Sequence, residues 1–156
     1  MKPLLYKILL GFSCTFLLTN CSWQNYLYIT NMTGDEVTVT YQITNANESG
    51  FVFGANPEMY QSANSGEPDW QVRKTVTDLD TSQNGIQITI PEMSSLIIST
   101  LSNDTYKGSN RKTEGGQVFN LVELEIISRD RKLTVNRANF DHHFDAPDGE
   151  SRLVIH

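Results

Sequence analysis

No cysteine follows Cys21 in this 156-residue chain, so residues 22–156 can form no internal disulfide and offer no thiol nucleophile. Basic residues are also scarce: 12 Lys+Arg stand against 18 Asp+Glu, a net charge of −6. That balance repels phosphate backbones, and no nucleic-acid partner is expected. The chain has no Gly-x-Ser-x-Gly elbow, no His-Glu-x-x-His and no phosphate-cradling glycine loop. Its three histidines are His142, His143 and His156. The sequence therefore predicts neither an enzyme nor a cofactor. No long segment carries a helical period, and no apolar run reaches the ~20 residues a membrane-spanning helix needs.

What is present begins at the amino terminus. Lys2 and Lys7 supply positive charge, residues 8–18 are apolar or small apart from Ser13 and Thr15, and the run stops at Leu18-Thr19-Asn20-Cys21-Ser22. This is the layout of a secretory signal. Its end resembles the lipobox of bacterial lipoproteins, in which cleavage falls just before a cysteine that carries diacylglycerol and usually an N-acyl chain such as palmitate. Leu18 and Thr19 fit that pattern, while Asn20 stands where Gly, Ala or Ser is usual. At the competing Cys14, Gly11-Phe12-Ser13 puts glycine where a branched aliphatic is expected. The resemblance covers this segment alone. It implies removal of residues 1–20, lipidation of Cys21, and a place in the bacterial cell envelope. Ser22, in place of the aspartate that retains many lipoproteins in the inner membrane, implies the outer membrane by the same resemblance. Several acyl chains hold a protein on a bilayer effectively permanently, at ~0.8 kcal/mol per buried methylene.

Loss of residues 1–20 removes two lysines and no acids, leaving 136 residues with 10 Lys+Arg against 18 Asp+Glu, a net charge of −8. That length suits one domain with a single core. Residues 21–25 are predicted to be the lipidated end and a short tether, and residues 26–156 the domain.

Within the domain, Val37, Val39, Tyr41 and Ile43 alternate with Thr38, Thr40 and Gln42, the period of a half-buried strand. Residues 26–30 form a preceding aromatic and β-branched run, and residues 31–35 contain the Asn, Gly and Asp of a hairpin loop, so the domain is predicted to open with a β-hairpin. Further strands are predicted over residues 71–79, 86–90, 96–101, 118–127, 133–135 and 153–155, with a turn at Asn84-Gly85. About eight short strands separated by turn signals predict an antiparallel, immunoglobulin-like β-sandwich, with a small up-and-down barrel as the alternative. Asn139 is placed to cap a single helical turn carrying Phe140 and Phe144 on one face. Residues 54–69 and 103–116 read as long loops, which in a compact domain are functional or mobile.

Asp141, His142, His143 and Asp145 are candidate metal ligands, because imidazole and carboxylate oxygen suit transition metals. Adjacent histidines on a strand point to opposite faces, so they could share an ion only at a turn. The competing reading is a solvated acidic loop with Asp148 and Glu150. Phe51, Phe53, Tyr60 and Trp70 bracket the first long loop, where an exposed subset could stack on a sugar or a partner. Phe51 and Phe53 also fit one face of a short strand, and Trp70 fits the core. Trp23 suits a bilayer interface. Lys107, Arg111 and Lys112, beside Asp104 and Glu114, read as a balanced loop.

These features predict a membrane-anchored lipoprotein whose sandwich is a structural or interaction module, with an envelope protein or glycan as partner. Two alternatives are a lipoprotein that binds a small ligand, glycan or metal, and an acidic inhibitor of a basic envelope or host enzyme.

Overall fold

The computed structural model describes residues 22–45, 49–76, 85–129, 131–144 and 150–156. Cys21 and the whole signal segment lie outside them. Nine strands and one short helix are found among the described residues: β1 (Gln24–Asn31), β2 (Val37–Ile43), β3 (Glu58–Ser62), β4 (Pro68–Lys74), β5 (Ile86–Ile90), β6 (Ser94–Ser102), β7 (Leu121–Ser128), β8 (Arg131–Asn136), α1 (Phe140–His143) and β9 (Ser151–Ile155). They make a five-stranded sheet, β4-β3-β6-β1-β9, packed on a four-stranded sheet, β5-β2-β7-β8. The molecule is a β-sandwich and not a closed barrel. Among the named strands pairing is antiparallel except for β9, which runs parallel to β1.

The four central strands follow the immunoglobulin pattern, in which two pairs of consecutive strands are split between the sheets. Here β1 pairs with β6 in one sheet and β2 with β7 in the other. The flank differs, because the immunoglobulin edge beside that position is antiparallel and β9 is parallel.

The core follows from period-two patterning. Leu27 and Ile29 of β1, Leu96 of β6, and Met59 of β3 face Val37, Val39 and Tyr41 of β2, Ile88 of β5 and Leu124 and Ile126 of β7 within one buried cluster. This arrangement overturns the opening hairpin. The two strands lie in different sheets because their apolar faces cover each other across the core, whereas a hairpin would leave both on one side of one sheet. Buried Asn31 makes the corner, its Nδ2 donating to the carbonyls of Asp35 (2.7 Å), Ile90 (3.0 Å) and Pro91 (3.1 Å).

The expected loop over residues 54–69 is also corrected, since it holds β3 and the start of β4. Pro57, Gly66 and Pro68 mask a hairpin, yet Gly66 at φ +82° forms its turn and Pro68 sits at the first strand position, where its missing N–H is tolerated. The strand expected over residues 118–127 begins later, at Leu121, with Val118 forming only an isolated bridge to Phe51. Phe51 and Phe53 do not share an alternating strand face. Asn120 accepts from the Phe53 N–H (2.9 Å) and donates to the Phe53 carbonyl (3.0 Å), turning Val52 and Phe53 both into the core. Phe140 and Phe144 stack at 4.1 Å as their spacing implies, but Asn139 makes no side-chain cap. Its Oδ1 instead accepts from the Asn136 N–H (2.7 Å).

Candidate functional site

The segment after β8 turns into α1, which brings His142 and His143 together with ring centroids 5.3 Å apart, edge to face. Asp141 points elsewhere. Its carboxylate accepts from the Tyr106 hydroxyl (2.6 Å), the Ser109 N–H (3.1 Å) and the Ser109 hydroxyl (3.0 Å), while Arg137 Nε donates to the Ser109 carbonyl (2.9 Å). Burial, reinforced by the bond to Asp141, pushes the Tyr106 phenol far up, so it stays a donor. Asp141 thereby staples the loop over residues 105–109 to α1. Asp145 and Asp148 lie outside the described residues. Among the described residues no three His, Cys, Asp or Glu side chains are grouped to hold a metal ion.

A second carboxylate organises the same loop. Asp104, 2% exposed, accepts from the Thr105 N–H (2.8 Å), the Gly115 N–H (2.6 Å) and the Thr113 hydroxyl (2.5 Å). Burial alone would raise its pKa, but these three bonds outweigh it and hold the carboxyl below its ordinary value. A Cβ on Gly115 would stand 2.6 Å from Asp104 Oδ2, so any other residue there would push the carboxylate off its hydrogen bonds. With Glu114 paired to Lys107 (2.6 Å), the loop over residues 103–116 is an ordered strap.

The outward face of the five-stranded sheet is the unusual surface. In the alternation of β1, Tyr26, Tyr28 and Thr30 point away from the core, as do Ser95 and Ile97 of β6, yet Tyr28, Thr30, Ser95 and Ile97 are all buried. The β3–β4 hairpin folds back over part of them. Thr30 Oγ1 donates to the Gly66 carbonyl (2.8 Å) at the hairpin's turn, and Ser95 Oγ lies 2.8 Å from the hydroxyls of both Thr30 and Ser62.

A bulge in β4 sets the rest. Tyr60 pairs with Arg73 and Gln61 with Asp69, so residues 70–72 are extra in the ladder. Asp69 Oδ1 accepts from the Gln71 N–H (3.1 Å) and closes this excursion. Bulges bend an edge strand and re-aim its side chains. Trp70 accordingly reaches Tyr26 of β1, with ring centroids 4.2 Å apart and planes tilted 32°. Two strands separate β4 from β1, which in a flat sheet would hold them about 14 Å apart. Tyr60 meets the indole edge-on at 5.2 Å. Trp70 remains 42% exposed, which corrects its expected place in the core.

Polar groups ring these aromatics in fixed positions. Glu58 accepts from the Tyr60 hydroxyl (2.8 Å) and from Arg73 Nη2 (2.9 Å), and the Tyr26 hydroxyl donates to Gln24. Glu58 and Arg73 also form part of the wall of a cleft of about 440 Å³, completed by Met59, Lys74, Thr75 and Val76. Burial first, and then the Glu150 and Glu58 carboxylates, raise the Tyr26 phenol. Glu150 is itself raised, by burial and then by Glu67. The surface is thus aromatic with a rim of mixed charge, where Arg73 pairs with Glu58 and Arg152 lies 3.9 Å from Glu67.

Sequence reasoning singled out Tyr60 and Trp70 but not Tyr26, Glu58 or Arg73. Residues 26–30 are legible only as an aromatic and β-branched run, and the bulge that joins Tyr26 to Trp70 has no sequence signal beyond Asp69. Fold and surface define a β-sandwich with one aromatic outer face. No protein-family model, curated protein or solved structure matches the chain.

Proposed function

We infer that this protein is a bacterial envelope lipoprotein, anchored through Cys21, whose β-sandwich is a non-catalytic interaction module. The anchor rests on the lipobox-like sequence ending at Cys21. The interaction role is supported by one observation above all, the cluster of Tyr26, Tyr60 and Trp70 on the outward face of the five-stranded sheet. A half-exposed indole packed against two tyrosines presents a large, rigid surface at little cost in conformational entropy, as binding hot spots do.

The start of β1 gives the anchor a geometric consequence. Gln24 begins the strand three residues after Cys21, so the tether is short. Trp23, 45% exposed, exchanges hydrogen bonds with Asn103: its N–H donates to Asn103 Oδ1 (3.1 Å) and its carbonyl accepts from the Asn103 N–H (2.9 Å). A lipid on Cys21 therefore sets the pole with the strap over residues 103–116 beside the bilayer. Arg111 and Lys112 sit on that strap, while its acids Asp104 and Glu114 are already engaged.

Metabolic labelling with a clickable palmitate analogue in a bacterial host, comparing wild type with Cys21→Ser, tests the anchor. Label that disappears in the variant is the expected result. Label absent from both proteins would overturn it.

A further inference from the structure

We propose that the Tyr26–Tyr60–Trp70 surface is a saccharide-stacking site, which takes an uncharged pyranose unit on the exposed part of Trp70 with Glu58 and Arg73 bonding its hydroxyls. The proposal rests on the reading of the sandwich as an interaction module and names the ligand class. It begins with how the indole is held. Tyr26 lies against the indole at 4.2 Å and Tyr60 meets it edge-on at 5.2 Å, so the ring is held in place from two directions while part of it stays open to solvent. The bulge over residues 70–72 gives up regular ladder pairing to put it there. A side chain needed only for packing has no reason to be lifted out of the ladder and left 42% exposed.

The surroundings decide the occupant. The cores of protein–protein interfaces are depleted in Glu, Asp and Lys, whereas this indole shares its hairpin with Glu58, Asp69 and Lys74. A pyranose suits both parts. Its C–H bonds carry partial positive charge and match the negative face of an aromatic ring, while each hydroxyl both donates and accepts and so pairs with a carboxylate and a guanidinium together. Glu58 is pre-set for this, fixed by Tyr60 (2.8 Å) and Arg73 (2.9 Å). Charges around the face are largely balanced, with Glu58 paired to Arg73 (2.9 Å) and Arg152 3.9 Å from Glu67, so no net positive charge draws anionic sugars, and neutral hexoses and N-acetylhexosamines fit best. The adjoining cleft, about 440 Å³ with Glu58 and Arg73 in its wall, leaves room for a neighbouring unit of a chain.

The test uses the full chain in a sugar-free detergent, with Trp23→Phe so that Trp70 is its only indole. Cellotetraose, tetra-N-acetylchitotetraose and maltotetraose are titrated in turn, followed by indole fluorescence and calorimetry. The expected result is saturable binding of at least one of them, weakened at least about tenfold by Trp70→Ala. Glu58→Gln, at a half-buried position outside the core, should weaken binding with an unchanged circular dichroism spectrum, which separates lost contact from lost fold. No binding of any of the three, or equal affinity in Trp70→Ala, would overturn the proposal. Cys21→Ser titrated alongside keeps the outcome independent of the anchor: saccharide binding by a protein that keeps Cys21 yet takes up no lipid label would refute the lipoprotein reading alone, and a labelled protein that binds none of the three would refute this proposal alone.

Discussion

The two outer faces of this sandwich are built from the same strand geometry and end in opposite surfaces. On the four-stranded sheet the outward positions are Thr38, Thr40 and Gln42 of β2, Glu123, Glu125 and Ile127 of β7, and Lys132 and Thr134 of β8, with Glu125 paired to Lys132 at 2.5 Å. That face is a solvated one, of alternating apolar-in, polar-out strands. On the five-stranded sheet the outward positions are Tyr28, Thr30, Ser95 and Ile97, all buried, with Tyr26 and Trp70 at the margin. The difference comes from β4. An edge strand with three extra residues bends, curls its hairpin over its own sheet, and turns an outer face into a second, smaller packed layer. A sandwich gains nothing for its main core from such a layer, which is why it draws attention as a site.

The contrast can be broken by substitution. Tyr28→Ala should cost about 3–5 kcal/mol, as for a buried aromatic, whereas Gln42→Ala on the opposite face should stay within about 0.5 kcal/mol; urea denaturation of both variants measures the gap. Thr30→Val keeps the shape but leaves the Gly66 carbonyl and the Ser95 hydroxyl short of a partner. A loss of about 1–3 kcal/mol is expected in the same assay, with Thr38→Val near neutral. Lys132→Ala removes an exposed ion pair and should cost less than about 1 kcal/mol, a loss that shrinks in high salt.

The smallest effect concerns pH. Burial and Glu67 raise the Glu150 carboxyl above its ordinary 4.5, so between those two values the folded state holds more protons than the unfolded one. Stability therefore falls as pH rises through that window. Glu150→Gln should flatten the decline, seen as a reduced slope of urea midpoint against pH from about 4.5 upward.

Much of this architecture is legible in the residues themselves. The alternation in residues 37–43 and 86–90 and the apolar run at 96–101 gave strands in the right places, because each buries one face against a neighbour. What was not legible depends on partners far away in sequence. Asn31-Met32-Thr33-Gly34-Asp35 has hairpin composition, but the buried amide of Asn31 bonds to Asp35, Ile90 and Pro91 and makes a corner between sheets. Pro57 and Pro68 advertise a loop where a short hairpin lies. For the candidate site, Trp70 and Tyr60 were visible as aromatics near a loop, but their convergence with Tyr26 depends on a register shift in β4. Likewise, Asp141 looks like a ligand beside two histidines until Tyr106 and Ser109 occupy its oxygens.

The most direct test of the account compares the two faces in the envelope itself. The photoreactive residue p-benzoyl-L-phenylalanine is placed at position 70 in one full-length protein and at position 40 in another, and intact cells are irradiated. Covalent adducts from position 70 and none from position 40 are the predicted result. Adducts from position 40 alone, or from both equally, would contradict the claim that the aromatic face is where this protein meets its partner.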